Sequence, residues 1–254
     1  MEKLAEQKLK RYEKAKAFRE NWVPLFEECY EYALPQRESF YYEEAGQRRD
    51  EKIFDETAVV GVQEFASRLQ SGIVPNFARW ADLLSGSEVP PEQRDEIDNQ
   101  LEEVTEYVFE VLQNSNFSQE VHESFMDLAV GTGVLCIEEG DSVNPVIFKA
   151  IPLPHVVLDT GPDDKIDHVF RERKKVKVDD LPLLYNEKNF DPKVLNMMGK
   201  DQETTVLEVV CRDHTRRNEE AYYHYAICMK TKTVLHSKQM KGVGSNPFVC
   251  FRWA

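Results

Sequence analysis

The sequence predicts an α+β fold, a helical N-terminal half followed by an antiparallel β-rich half. Apolar residues recur at helical spacing up to about residue 130. After Gly131-Thr132-Gly133 they gather instead into short β-branched and aromatic runs bounded by Gly, Pro and Asp. Helices come first and strands after, which argues against an alternating α/β sheet. The expected division is a mainly helical part over 1–130 and a β-rich part over 131–254.

The first helical region carries one apolar stripe, Tyr12, Ala15, Phe18, Trp22, Phe26, Cys29 and Ala33. Pro24 kinks or restarts it, and Pro35 follows its end. Segment 36–52 has no sustained period and reads as a loop. A second helix starts near Asp55, a suitable N-cap, and buries Ala58, Val62, Phe65, Ala66, Leu69 and Ile73 before ending at Gly72–Pro75. A short extended piece, Arg79–Leu84, follows. Pro90 and Pro91 lead into a third helix with Ile97, Leu101, Val104, Val108 and Val111 inward and Glu102, Glu103, Glu106 and Glu110 outward. Asn116 is placed to cap a fourth helix, with Gln119 at the capping-box spacing and a stripe of Val121, Phe125 and Leu128.

Strands are expected at 134–138, 146–151, 156–159 and 168–173, with short helical stretches near 179–185 and 192–198. Segments 206–212, 222–229, 233–236 and 247–253 then read as one antiparallel meander.

Composition narrows the function classes. Lys and Arg total 32 against 46 Asp and Glu, for a net charge of −14 in 254 residues. Non-specific DNA binding over a broad surface relies on Lys and Arg displacing counterions, so this balance disfavours it. Five cysteines, odd in number and never spaced as CxxC, read as reduced thiols of a cytosolic compartment. The N-terminus lacks a secretory apolar core, and no apolar run approaches the ~20 residues that span a bilayer.

No catalytic constellation emerges. His122-Glu123 begins like HExxH, but Met126 stands where the second histidine belongs. Gly131-Thr132-Gly133 lacks the third glycine of a dinucleotide loop and precedes a strand. Neither a GxxxxGK[ST] loop nor a GxSxG elbow occurs. Cys211, His214, His224 and Cys228 have a loose zinc-ribbon spacing. On a strand, however, residues three apart face opposite sides, so the expectation is a hairpin with buried thiols and surface imidazoles. Asp163-Asp164 and Asp179-Asp180 sit beside turn signals and read as solvated. In the strongest basic run, Arg171, Arg173 and Lys175 would line one strand face. They could meet phosphate or an acidic neighbouring subunit, such as one presenting the Glu102–Glu110 face, or simply guard a solvated strand edge. No catalytic, cofactor-binding or metal residue is assigned.

Residues 55–83 are the most specific part of the chain. Asp55, Thr57 and Ala58 are followed by Phe65-Ala66-Ser67-Arg68-Leu69, then Gly72 and Pro75, then Arg79-Trp80-Ala81-Asp82-Leu83. This closely resembles the portal, or head-to-tail connecting, proteins of short-tailed bacteriophages. Those carry a T-A-x-x-G/A-x-x-x-[LF]-A-S-x-L helix, a small-residue turn with Pro, and a Trp-containing strand ending in Leu. The parts make physical sense: Ala66, Ser67 and Gly72 would permit close packing, Pro75 stops the helix, and Trp80 would be a buried anchor. The likeness extends to Arg19 and Tyr30 in the opening helix, to Phe117–Leu135, to Ile151–Arg173 and to Pro247–Trp253.

The resemblance implies a non-enzymatic subunit of a homo-oligomeric ring of twelve at one capsid vertex, through which double-stranded DNA passes without specific binding. It implies major capsid and scaffolding proteins, a packaging terminase and tail adaptor proteins as partners, and no cofactor and no membrane. It places the protein in the virion after assembly in the host cytoplasm. It makes this chain the wing of the portal, ending before the stem, clip and crown. The alternative reading is a stand-alone soluble α+β binding module without catalysis.

Overall fold

The structure, a computed structural model, describes residues 2–37, 53–187, 189–215, 220–242 and 244–252. In chain order the elements are α1 (Glu2–Arg19), α2 (Val23–Ala33), α3 (Thr57–Ile73), α4 (Pro91–Asn114), α5 (Phe117–Val130), β1 (Thr132–Glu139), β2 (Val146–Ala150), β3 (Val156–Thr160), β4 (Ile166–Lys177), α6 (Leu181–Tyr185), α7 (Pro192–Leu195), β5 (Glu203–Arg212), β6 (Ala221–Cys228), β7 (Thr233–Lys241) and β8 (Phe248–Arg252). Helices precede antiparallel strands, so the fold is α+β. The loop expected over 36–52 lies almost wholly outside the described residues.

The chain forms two compact units that interleave along the sequence. Unit 1 takes residues 1–27 and 153–247, and unit 2 takes 28–152 and 248–254. Helix-to-strand change at residue 130 therefore falls inside unit 2.

Unit 1 is a five-stranded antiparallel sheet, ordered β3-β4-β5-β6-β7, filled on both faces. On one face α1 lays Ala5, Leu9, Tyr12 and Ala15 against Val157, Phe170, Leu207, Val209 and Ile227. On the other, α6, α7 and their flanking turns bring Val178, Leu181, Tyr185, Val194 and Met197 onto Val206, Ala226, Cys228 and Leu235. The period-2 alternation of β5 sorts its side chains between these two cores. Polar bonds fix α1 along the sheet: Arg11 Nε donates to Asp159 Oδ2 (2.6 Å), Lys16 pairs with Glu172 (3.1 Å), and Arg19 donates to the Leu153 and Val156 carbonyls.

The stripe read in the first helical region stops at Ala15. The helix breaks at residues 20–22, α2 restarts with Pro24 in its first turn, and the break leaves Phe18 and Trp22 exposed. Pro24 lacks a backbone N–H, which costs nothing in a first turn.

Unit 2 packs α3 and α5 together and sets α5 on a three-stranded antiparallel sheet, β2-β1-β8. Ala66, Val121, Phe125, Leu128, Leu135 and Phe148 are its buried core. The strand over 247–253 was expected to extend the meander of unit 1. Instead β8 leaves that sheet and pairs with β1, Gly133 opposite Phe251. A Cβ on Gly133 would lie 2.7 Å from the Ser124 carbonyl oxygen and inside the Phe251 ring, so the glycine is what lets α5, β1 and β8 close together.

Asn116 is the residue before α5, as expected, but it forms no capping bond. Its amide instead pairs with both backbone groups of Phe148 (2.8 and 3.0 Å), and Glu120 Oε2 accepts from Ala150 N (2.6 Å). The free edge of β2 claims these side chains, which blunts it against pairing with another chain.

His168 gives unit 1 a pH dependence. It is 3% exposed, lies opposite Cys211 and stacks on Phe170 at 5.8 Å. Burial, then the charges of Arg11, Lys8 and His214, push its pKa down to about 3 from 6.5. Folded His168 is therefore neutral, whereas the unfolded chain takes up a proton below about 6.5. Its contribution is whole above that pH and is lost as pH falls towards 3, by up to about 1.4 kcal/mol per unit. Thermal unfolding should show about 2 kcal/mol less stability at pH 5 than at pH 7 from this group. His168→Gln should flatten the slope between those pH values, and an unchanged slope would contradict the assignment.

Candidate assembly surface

The residues singled out by sequence lie mostly on the outside of unit 2. Asp55 Oδ1 accepts from Thr57 N (2.7 Å) and from Thr57 Oγ1 (2.5 Å), which sets the turn into α3. The side-chain bond from Thr57, then the backbone one, hold the Asp55 carboxyl below its ordinary value. Ala66 is fully buried, with Phe65 and Leu69 partly buried beside it. Ala58, Ser67 and Gly72 are exposed, and space is open where a Gly72 Cβ would stand, so close packing does not explain that glycine within this chain.

Gln70 ties α3 to α5: its Nε2 donates to the Ser118 carbonyl (2.9 Å) and its Oε1 meets His122 Nδ1 (3.0 Å). The helix ends with Val74 N on the Gln70 carbonyl, one residue before Pro75. Trp80 is 40% exposed, not buried as expected. It sits edge-on to Phe109 (5.3 Å) and stacks on Phe117 (6.2 Å), capping an aromatic cluster from outside.

Residues 79–85 belong to no helix or strand and are held by α4 side chains. Leu83 N donates to Thr105 Oγ1 (3.2 Å) and Ser85 N to Asp98 Oδ1 (2.7 Å). These bonds explain why α4 is rotated from the expected face. Thr105 and Phe109 turn inward with Ile97, Leu101 and Leu112, while Val104 and Val108 stay exposed beside Tyr107.

The outward side of α4 is strongly acidic. The helix carries eight carboxylates and a single arginine, Arg94. Glu92, Glu96, Glu103, Glu106 and Glu110 fall on one stripe opposite the packed face, all exposed and none in an ion pair among the described residues. Like charges four apart, such as Glu92 and Glu96 or Glu106 and Glu110, cost the helix about 0.2–0.5 kcal/mol per pair.

Residues 5–254 match the family described as bacteriophage head to tail connecting protein. The chain belongs to that family. No curated protein matches it. The family's role is structural, in joining phage head and tail, and this connector chain contains no described helix long and apolar enough to cross a membrane.

The basic run of the connector does not form the face expected of it. Arg171 lies opposite Glu208 across the β4–β5 register, and both Arg171 (3.3 Å) and Arg173 (3.1 Å) bond its carboxylate, with Tyr185 OH as a third donor (3.0 Å). A bulge between Arg173 and Val176, with Lys175 at φ 53°, breaks the alternation that would have set Lys175 beside the two arginines. The zinc-like set is split as well. Cys211 faces α1, whereas Cys228 belongs to the opposite core, and His224, four residues before Cys228, shares that opposite face. All five cysteines are free, with Cys136, Cys211 and Cys228 buried.

Sequence reading missed Asp127 and Glu208, two of the buried carboxylates, each of which accepts from arginine and tyrosine side chains. Each leaves one trace, an acid within or beside an apolar run: Met126-Asp127-Leu128 on α5 and Leu207-Glu208-Val209 on β5.

Proposed function

We propose that the connector chain is a non-catalytic subunit of a portal ring, the wing of a full-length protein that closes into twelve copies at a capsid vertex. Double-stranded DNA passes through the ring during packaging and ejection. Capsid and scaffolding proteins, the packaging terminase and tail adaptors dock on it, and it ends in the virion after assembly in the host cytoplasm. The match over residues 5–254 carries the connector role. The net charge of −14 supports the conduit part, because an acidic surface lets phosphate slide past without adhering.

Electron microscopy of the product of the full reading frame that contains this chain is expected to show closed rings. Those rings should not retain duplex DNA at about 0.1 M salt, where a basic surface would. A product that stays monomeric, or rings that hold DNA with a steep salt dependence, would overturn the reading.

A further inference from the structure

The carboxylate stripe of α4 leaves a charge imbalance that calls for a cationic counterpart. Duplex DNA and anionic membranes carry the wrong sign for it. The same chain carries a surface of the right sign. From Ala221 to Lys241 the sequence contains no Asp or Glu, and it contains Lys230, Lys232, Lys238 and Lys241. These four lysines belong to β7 or the turn leading into it, and β7 is an edge strand of the unit 1 sheet. Lys232, Lys238 and Lys241 are exposed and make no ion pair among the described residues. Arg171 and Arg173, the cations of the basic run on β4, are engaged with Glu208.

The two surfaces match in length as well as sign. Glu92 to Glu110 spans about 27 Å of helix at 1.5 Å per residue. The β7 edge, Thr233 to Lys241, spans about 26 Å of extended chain. Beside the stripe, exposed Tyr107 and Val104 add apolar surface that the lysine stems of an edge strand can cover.

We propose that the α4 stripe of one copy receives the lysine-bordered β7 edge of a second copy. Each copy uses two different surfaces, so the contact is heterologous and repeats around a ring or along a filament. It deepens the portal reading by naming the surfaces through which neighbouring subunits meet, and it rests on that reading. Laying Glu103, Glu106 and Glu110 along the β7 edge, with Lys238 on one side of it and Lys241 on the other, removes the self-repulsion of α4, which a monomer retains.

The test uses rings assembled from equal amounts of ¹⁴N- and ¹⁵N-labelled protein, treated with a zero-length carbodiimide. Mixed-isotope amides are expected between Lys238 or Lys241 and Glu103, Glu106 or Glu110. A Glu103→Lys/Glu106→Lys/Glu110→Lys variant and a Lys232→Glu/Lys238→Glu/Lys241→Glu variant should each lose about tenfold in ring yield at low salt, and an equal mixture of the two should recover it through the reversed pairs. Well-formed rings whose mixed-isotope cross-links lie elsewhere, or whose yield is unmoved by both reversals, overturn the proposed surfaces while leaving the ring reading intact. Failure of the wild-type protein to form rings at all overturns both.

Discussion

Asp127→Ala is expected to destabilise unit 2 by about 3–5 kcal/mol, the cost of breaking a buried ion pair. Asp127 is wholly buried on α5. Its Oδ1 accepts from Tyr30 OH (2.6 Å) and Arg37 Nε (3.2 Å), and its Oδ2 pairs with Arg37 Nη2. Glu123, one turn earlier on α5, also pairs with Arg37. Burial works against the Arg37 guanidinium, but the charge and hydrogen bond of Asp127, then the charge of Glu123, carry its pKa above the ordinary value. Burial also raises the Asp127 carboxyl against the pull of Arg37 and Tyr30. The two shifts point opposite ways for the pair as a whole. The Asp127 shift registers the desolvation penalty of the site, and the Arg37 shift registers how much of it the attraction offsets.

Such a pair contributes little net stability compared with an apolar substitute, yet removing one half strands the other in a dry interior. Asp127→Ala should therefore be far worse than a combined Asp127→Leu/Arg37→Met replacement, which should recover most of the loss. Tyr30→Phe, which removes one donor and leaves the ion pair, should cost about 1.5–3 kcal/mol at most. Hydrogen exchange along α5 in the three variants separates these outcomes. Equal losses from the single and combined replacements would mean that the shape of the site, and not its charge balance, sets the cost.

The contrast between what sequence could and could not tell follows from the range of the interactions. Strand positions were legible because period-2 alternation and bounding Gly, Pro and Asp are local, so β1 to β7 lie where the runs predict them. Partners were not. β8 reads like the next strand of a meander, and only the close approach at Gly133 and Phe251, over a hundred residues apart, shows that it belongs with β1. Helix faces failed where a polar residue turns inward. Thr105 interrupts the apolar stripe of α4 and looks misplaced until the Leu83 backbone N–H is seen bonded to it. The signature around Trp80 was legible as a pattern, while its physical reading failed at Trp80 and Gly72, which face outward in the single chain. Arg171 and Arg173 read as a surface cluster because their counter-ion lies 35 or more residues away.

That counter-ion is the basis of the second large effect. Glu208→Ala is expected to cost unit 1 about 3–5 kcal/mol, because two guanidiniums lose the acceptor they share inside a packed sheet. The Glu208 side chain is 7% exposed, against 12% for Arg171 and 25% for Arg173. Solvent can compensate the arginines in that order, so Glu208→Ala should exceed Arg171→Ala, and Arg171→Ala should exceed Arg173→Ala. Tyr185 contributes without titrating. Burial first, then the Glu208 charge, drive its phenol far above the ordinary value, so it remains a donor to Glu208 throughout the accessible pH range. Glu208→Gln keeps the shape and one acceptor oxygen but removes the charge, and should fall between the alanine variant and wild type. Urea unfolding of the four variants, with hydrogen exchange read on β5, checks the order. If instead all four variants lay within about 0.5 kcal/mol of wild type, the cluster would be behaving as a surface salt bridge.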